Sequence, residues 1–185
     1  MKAGQILIEV NTYANPYPYI NKEISSFLTE YLINIGRIDL IEQYNLKPFS
    51  INVLDKRRTI LEKLVSLFRF SFEGDTIKSL SSKIRHFYDL YYLINDDECS
   101  NYIQSADFRY DFQELFIHDQ QQFSEPDGWC TKTANDSPLF KDFSGIWLKL
   151  SPNYRKELTP LAFSEIPNET LIAEKFMDIL KVLLI

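Results

Sequence analysis

The chain has 185 residues, of which 45% are hydrophobic and 15% aromatic, and its formal net charge is −6. Five glycines and eight prolines exclude a fibrous or low-complexity class. The negative charge does not favour long-range attraction to a nucleic-acid backbone, although a local basic patch stays compatible with it. Two isolated cysteines, Cys99 and Cys130, indicate reduced thiols in a cytoplasmic protein. No apolar run reaches the length of a membrane span.

The N-terminal part of the sequence predicts two strands and one helix. The segment QILIEV at 5–10 is short and rich in β-branched residues, so it predicts a strand, and FSINVL at 49–54 predicts a second one. Two prolines indicate a loop over residues 11–19. A helix is predicted from Asn21, because apolar residues recur at helical spacing as far as Gly36, which would end it.

The rest of the sequence predicts helices. Asp55 is a candidate N-cap for a helix over residues 56–70, and further apolar stripes predict helices over 83–94 and 108–123. Asn168 is the candidate N-cap of the last helix. Each of these helices has one apolar face, which is typical of packing around a common core.

The order of these elements predicts an α+β fold in which strands come first and helices follow. We expect a small α/β region over residues 1–54, whose strands form an incomplete sheet, and a mainly helical domain over residues 55–185. An apolar sheet edge near residues 6–10 would favour self-association. A large sheet after residue 100 would contradict this architecture.

Glu9 and Lys63 are charged residues beside apolar stretches, and each allows two interpretations. Glu9 interrupts the apolar run of its predicted strand, so it either faces solvent or binds a metal ion. Lys63 lies at the border of the apolar stripe of its helix. It therefore either extends to water or meets a nucleotide phosphate.

Arg85 and Asp89 are separated by four residues on a predicted helix, where a structural ion pair is the ordinary interpretation. The aromatic residues around them favour partial burial and a specific role. His86 and His118 are the only histidines, so a histidine-based catalytic triad has few options. The sequence contains no zinc-type cluster of Cys and His, no phosphate-binding glycine loop and no dinucleotide fingerprint.

Two short motifs follow one another after the strand predicted at 49–54. Residues 60–67 read ILEKLVSL, and residues 85–90 read RHFYDL. In this order they resemble the paired "EKL-x-x-L" and "R-D-x-x-D-L" motifs of AbiEii/AbiGii-type nucleotidyltransferases. The resemblance runs over most of the chain, and its specific motifs lie within residues 50–94.

The resemblance implies a fold in which a nucleotidyltransferase-like α/β core, partial here over residues 1–54, precedes a helical domain. Family members are commonly toxins of toxin–antitoxin or phage-defence systems. They transfer a nucleotide from a nucleoside triphosphate (NTP) with Mg²⁺, often to RNA, and an antitoxin protein is the implied partner. The resemblance assigns Lys63 and Arg85 to the triphosphate. It also implies that Asp89 orients the lysine or acts as a base, and that Glu9 is a metal carboxylate.

The chain departs from the family pattern in two places. His86 stands where the family often has Asp. The family's first motif, a Gly-Ser or Gly-Gly turn followed by Asp-x-Asp, has to precede the Glu9 strand, and the residues before Glu9 contain no Asp. Two-metal transfer needs those carboxylates. We therefore expect a nucleotidyltransferase-like chain, truncated or completed by another chain, that transfers no nucleotide in isolation. The alternatives are a non-catalytic binding or interaction module that keeps the fold, and a soluble scaffold.

Overall fold

The computed structural model describes residues 18–162 and 164–184 of the chain. Across these residues the backbone forms two strands, nine α-helices and three short 3-10 turns. The elements are β1 (Tyr19–Ile24), α1 (Phe27–Asn34), α2 (Ile38–Gln43), β2 (Phe49–Leu54), α3 (Lys56–Ser71), α4 (Thr76–Ser82), α5 (Ile84–Ile94), α6 (Asp97–Ile103), α7 (Ala106–Gln122), α8 (Pro138–Leu158) and α9 (Glu169–Leu184). The 3-10 turns are Trp129–Thr131, Ala134–Asp136 and Thr159–Leu161.

The chain divides into two compact units, residues 1–58 and 59–185. The division expected after residue 54, with the roles given to its two parts, stays a prediction. The strand predicted at residues 5–10 lies outside the described residues. Whether the first unit derives from a nucleotidyltransferase core stays a prediction, because a two-stranded sheet does not define that core.

The described strands of the first unit form an antiparallel pair. Tyr19 of β1 is opposite Leu54 of β2, and Ile24 is opposite Phe49. The strand predicted at 49–54 is therefore confirmed. Most side chains of both strands are exposed within the described residues.

The helix predicted from Asn21 is wrong in its first part, because residues 19–24 form a strand and the helix begins only at Phe27. Ser26 sets this start, since its Oγ accepts a hydrogen bond from the backbone N–H of Thr29 at 3.1 Å. The apolar residues that suggested a helix also fit a strand, because a spacing of four residues returns to the same face in both geometries.

Helix α1 ends just before Gly36, as predicted. The φ of Gly36 is +72°, a left-handed conformation that glycine adopts without steric cost. The N–H of Gly36 bonds to the carbonyl of Ile33 at 3.0 Å, and the N–H of Arg37 bonds to that of Leu32 at 2.8 Å. These two bonds form a Schellman motif, which satisfies carbonyls at the end of the helix.

The second unit is helical, and no strand follows β2 in the described part of the chain, in agreement with the expected architecture. A single cluster of apolar and aromatic side chains from several helices forms its core. The predicted inward faces of α3, α7 and α9 are confirmed. Their buried residues include Ile60, Leu61, Leu64, Val65 and Phe68 in α3, Phe108, Phe112, Leu115 and Phe116 in α7, and Ile172, Phe176, Ile179 and Leu180 in α9.

Phe87 of α5 is the main contact between that helix and the C-terminal helices. Its ring centroid lies 4.9 Å from that of Phe176 in α9. Two rings of α8 are also close, Trp147 at 5.2 Å and Phe143 at 6.1 Å. This aromatic packing fixes the rotation of α5, and so determines which side chains its opposite face presents.

Candidate functional site

Lys63 of α3 and Asp89 of α5 are brought to one place by the helices that carry them. Helix α3 begins after Asp55, whose carboxylate accepts a hydrogen bond from the backbone N–H of Arg57 at 2.8 Å. Lys63 lies between the buried residues Leu61 and Leu64 of this helix, of which Leu64 is fully buried. The lysine therefore lies at the edge of the core instead of on the far, solvent-facing side.

Lys63 and Asp89 form a direct ion pair. The Lys63 ammonium donates a hydrogen bond to Oδ2 of Asp89 at 2.6 Å, and the two side chains are 20% and 40% exposed. The resemblance implied that Asp89 could orient the lysine, and the two groups do lie within one hydrogen bond of each other. The interpretation in which Lys63 only extends to water is wrong, while the catalytic roles of the pair stay predictions.

Arg85 does not form the helical ion pair that its spacing from Asp89 suggested. No such contact occurs in the residues that the structure describes, and Arg85 is exposed. The reason is that Lys63 reaches the Asp89 carboxylate from a neighbouring helix at close range. Arg85 and Asp89 still lie on the same face of α5, one helical turn apart.

A shallow groove of about 560 Å³ surrounds the ion pair. It is lined by Thr59, Lys63, Tyr88, Asp89, Tyr92 and Leu93. One part of the groove is charged and the other is aromatic and apolar. Such a combination suits a ligand that has both a charged group and a flat apolar group.

His86 is a member of this region that the sequence did not identify as functional. Its Nδ1 is buried and has no hydrogen-bond partner among the described residues. Burial is the main cause that lowers the pKa of His86 from 6.5 to about 4, and the nearby Lys63 and Lys83 ammonium groups lower it further, whereas Asp89 opposes them. The imidazole is therefore neutral at pH 7, and only its burial, which depends on tertiary packing, distinguishes it.

We expect His86 to make the protein less stable in acid. Because the unfolded chain has the ordinary pKa of 6.5 and the folded chain a value of about 4, protons bind preferentially to the unfolded state between these values. The penalty is absent above pH 6.5 and grows as the pH falls towards 4. By pH 4.5 it should reach on the order of 2 kcal/mol.

The test is urea denaturation of the wild type and His86→Gln from pH 7 to pH 4.5. The variant should lose less unfolding free energy over this range than the wild type, by that amount. His118→Gln, which changes the other histidine, serves as the matched control for background titration. Parallel pH profiles for His86→Gln and the wild type would show that His86 is not held neutral by the fold.

The expected metal site cannot be located among the described residues. Glu9, the candidate metal carboxylate, lies outside them. Within residues 18–162 and 164–184, no group of three His, Cys, Asp or Glu side chains could hold a metal ion. These residues alone do not fit a divalent-metal site, because Asp89, the one carboxylate of the groove, already binds Lys63.

Two further observations bear on the class of protein. Neither Cys99 nor Cys130 forms a disulfide bond within the described residues, and only Cys99 is buried. None of the helices in the described residues is long and apolar enough to cross a membrane.

The family model for the nucleotidyl transferase AbiEii toxin of type IV toxin–antitoxin systems matches residues 1–180. The chain belongs to the AbiEii family. The match covers the ordered motifs of α3 and α5, so the resemblance that those motifs carried is confirmed. Comparison with curated proteins and with solved structures gave no match.

Membership in the AbiEii family gives the coarse function. The chain is nucleotidyltransferase-like and of the toxin type. In general terms, this family implies nucleotide and divalent metal use and an antitoxin as partner. In this context the Lys63–Asp89 pair and its groove are the site of interest.

Proposed function

We propose that this chain binds the phosphates of a nucleoside triphosphate through Lys63 and contributes that contact to nucleotide transfer onto an acceptor, with RNA as the acceptor class. The observation that carries the proposal is the ion pair between Lys63 and Asp89 in an open groove. Family membership supplies the reaction class. The groove supplies a place where an extended, charged ligand fits.

The chemistry of the ammonium group supports this role. Lys63 has three N–H donors, and the bond to Asp89 uses one of them. Two donors are left for phosphate oxygens, and the lysine is held in place before the ligand arrives. We therefore assign Asp89 to orienting Lys63, because its carboxylate is already bonded to the ammonium; action as a base is the alternative.

Arg85 and Glu9 complete the proposal. Arg85 lies one helical turn from Asp89 on the same face of α5, so its guanidinium is suited to bind a second phosphate in a bidentate manner. Glu9 is proposed as a carboxylate for Mg²⁺. We also propose that the protein acts in the cytoplasm and binds an antitoxin protein, and that its apolar N-terminal region allows self-association.

The proposal predicts that Lys63→Ala weakens nucleotide binding. Isothermal titration of the 185-residue chain with ATP, with and without magnesium, measures the change. Loss of a charge-assisted contact should weaken binding by about tenfold or more. Lys149→Ala, which removes an exposed lysine of α8, is the matched control and should bind as the wild type does.

Equal affinities for the wild type and Lys63→Ala would remove Lys63 from the site. Transfer is measured separately, with α-labelled triphosphates, RNA and Mg²⁺. We expect binding without transfer for the isolated chain, which is also what a binding module would show. If the isolated chain transfers nucleotide and Lys63→Ala abolishes this transfer, other carboxylates of the chain complete the metal site.

A further inference from the structure

The aromatic half of the groove consists of two tyrosines of α5, the helix that also carries Asp89. Tyr88 and Tyr92 are four residues apart on α5 and both line the groove. Tyr92 follows Asp89 by three residues, so its Cα lies roughly 4.5 Å further along the helix axis. A phosphate held at Lys63 would therefore share one groove with the Tyr92 ring.

Tyr92 presents a ring that is open on one side and supported on the other. It is 47% exposed. Its centroid lies 4.9 Å from that of Tyr88, and Tyr91 contacts it edge-on at 5.4 Å and 87°. Tyr88 and Tyr91 are themselves packed against the core. The exposed ring is thus held by two neighbours, which reduces the entropy lost when a flat ligand stacks on it.

We propose that the base of the nucleotide held by Lys63 stacks on the exposed face of Tyr92. This inference rests on the proposed function, because it assumes that the phosphates of the same ligand occupy the Lys63 end of the groove. Leu93 also lines the groove and provides a further apolar surface. Ring stacking does not distinguish strongly between bases, because every base has a π-face. Purine and pyrimidine triphosphates should therefore both bind, and selectivity for one base has to come from other contacts.

The experiment compares two ligands, of which only one carries a nucleoside. ATP carries a base and a triphosphate, whereas inorganic tripolyphosphate carries only the charged part. Tyr92→Ala in the 185-residue chain should weaken ATP binding by about tenfold, within the range measured for a single base–aromatic contact. The same variant should leave tripolyphosphate binding within about twofold of the wild type. Tyr92→Phe keeps the ring and should bind ATP as the wild type does.

A matched control removes a tyrosine of similar exposure elsewhere. Tyr110 of α7 is 66% exposed and does not line the groove, so Tyr110→Ala should change neither affinity. Saturation-transfer NMR provides a second measurement, in which the H2 and H8 protons of adenine receive magnetisation from the wild type and much less from Tyr92→Ala. Far-UV circular dichroism confirms that each variant is folded.

The outcomes separate this inference from the proposed function. Unchanged ATP affinity in Tyr92→Ala overturns stacking, as does equal weakening of both ligands. If Lys63→Ala weakens tripolyphosphate binding but Tyr92→Ala leaves ATP binding unchanged, the phosphate site is supported and the base site is rejected. ATP binding that depends on Tyr92 but not on Lys63 supports stacking and rejects the proposed phosphate contact.

Discussion

Phe87→Ala should lower the free energy of unfolding by about 3–5 kcal/mol, as is usual when a fully packed phenylalanine is truncated. Phe87 is 1% exposed, and its ring contacts aromatic residues of both α8 and α9. The substitution removes the contact between three helices and leaves a cavity that rigid neighbours fill poorly. Because domains of this size have stabilities of about 5–15 kcal/mol, a large share of the total would be lost.

Urea denaturation followed by circular dichroism measures this effect, and a milder substitution protects the test against complete unfolding. Phe87→Leu retains part of the apolar volume and should lose markedly less. Leu148 of α8 is 76% exposed, so Leu148→Ala is the matched control and should change stability by less than about 0.5 kcal/mol. A loss below about 1 kcal/mol for Phe87→Ala would contradict the packing described for α5.

Arg69→Met should destabilise the protein by about 3–5 kcal/mol at pH 7, because it leaves a buried carboxylate without its partner. Arg69 Nε lies 3.0 Å from Oδ2 of Asp119, and the side chains are only 16% and 13% exposed. The Nε–H group is not aligned for a hydrogen bond, so the contact is an ion pair. The guanidinium carbon also lies 3.9 Å from the ring centroid of Phe123, which adds a cation–π contact.

The destabilisation caused by Arg69→Met should depend on pH, because it depends on the charge of Asp119. Burial raises the pKa of Asp119, while Arg69 lowers it; removal of the arginine should therefore raise that pKa further. A carboxyl with a raised pKa binds its proton more readily in the folded than in the unfolded state. The loss caused by Arg69→Met should therefore be largest at pH 7 and become smaller as the pH falls and Asp119 is protonated.

A second substitution tests whether the unpaired charge causes the loss. Arg69→Met combined with Asp119→Leu removes both charges and should recover much of the stability at pH 7. Arg37 and Asp39 form an exposed pair, with side chains 50% and 62% accessible, so Arg37→Met is the control and should show no measurable loss. A double variant that is no more stable than Arg69→Met would indicate that packing dominates.

The helical part of the fold was predictable from the sequence, whereas the small sheet was predicted only in part. Apolar stripes identified α3, α5, α7 and α9, because one buried face leaves a period near 3.6 residues. β2 was also identified, since its short, mainly apolar run contains the β-branched residues Ile51 and Val53. β1 was not, because its assignment depends on pairing with β2, about thirty residues further along the chain, and no local pattern records that pairing.

The site was predictable to the extent that it depends on ordered motifs. Nothing in local spacing connects Lys63 with Asp89; the order of the two motifs suggested it, and the packing of α3 against α5 makes the contact. The same packing overrides the helical spacing that favoured Arg85 as the partner of Asp89. His86 was missed because its burial and its unpartnered Nδ1 arise only from tertiary packing. Tyr92 was not distinguished from the other aromatic residues around Arg85 and Asp89, since exposure of a ring is not visible in a sequence.

Helix α5 has a consequence for how this protein can vary. Four consecutive residues have different surroundings: His86 is enclosed, Phe87 is in the core, Tyr88 supports the groove and Asp89 binds Lys63. An ordinary amphipathic helix tolerates substitution at every third or fourth position, where it faces water. In α5, the less buried positions Tyr88, Asp89 and Tyr92 line the groove. Few positions of this helix should therefore accept substitutions, and those positions should not recur every three or four residues. A change that compensates for a substitution on the core side would also have to leave the groove side undisturbed.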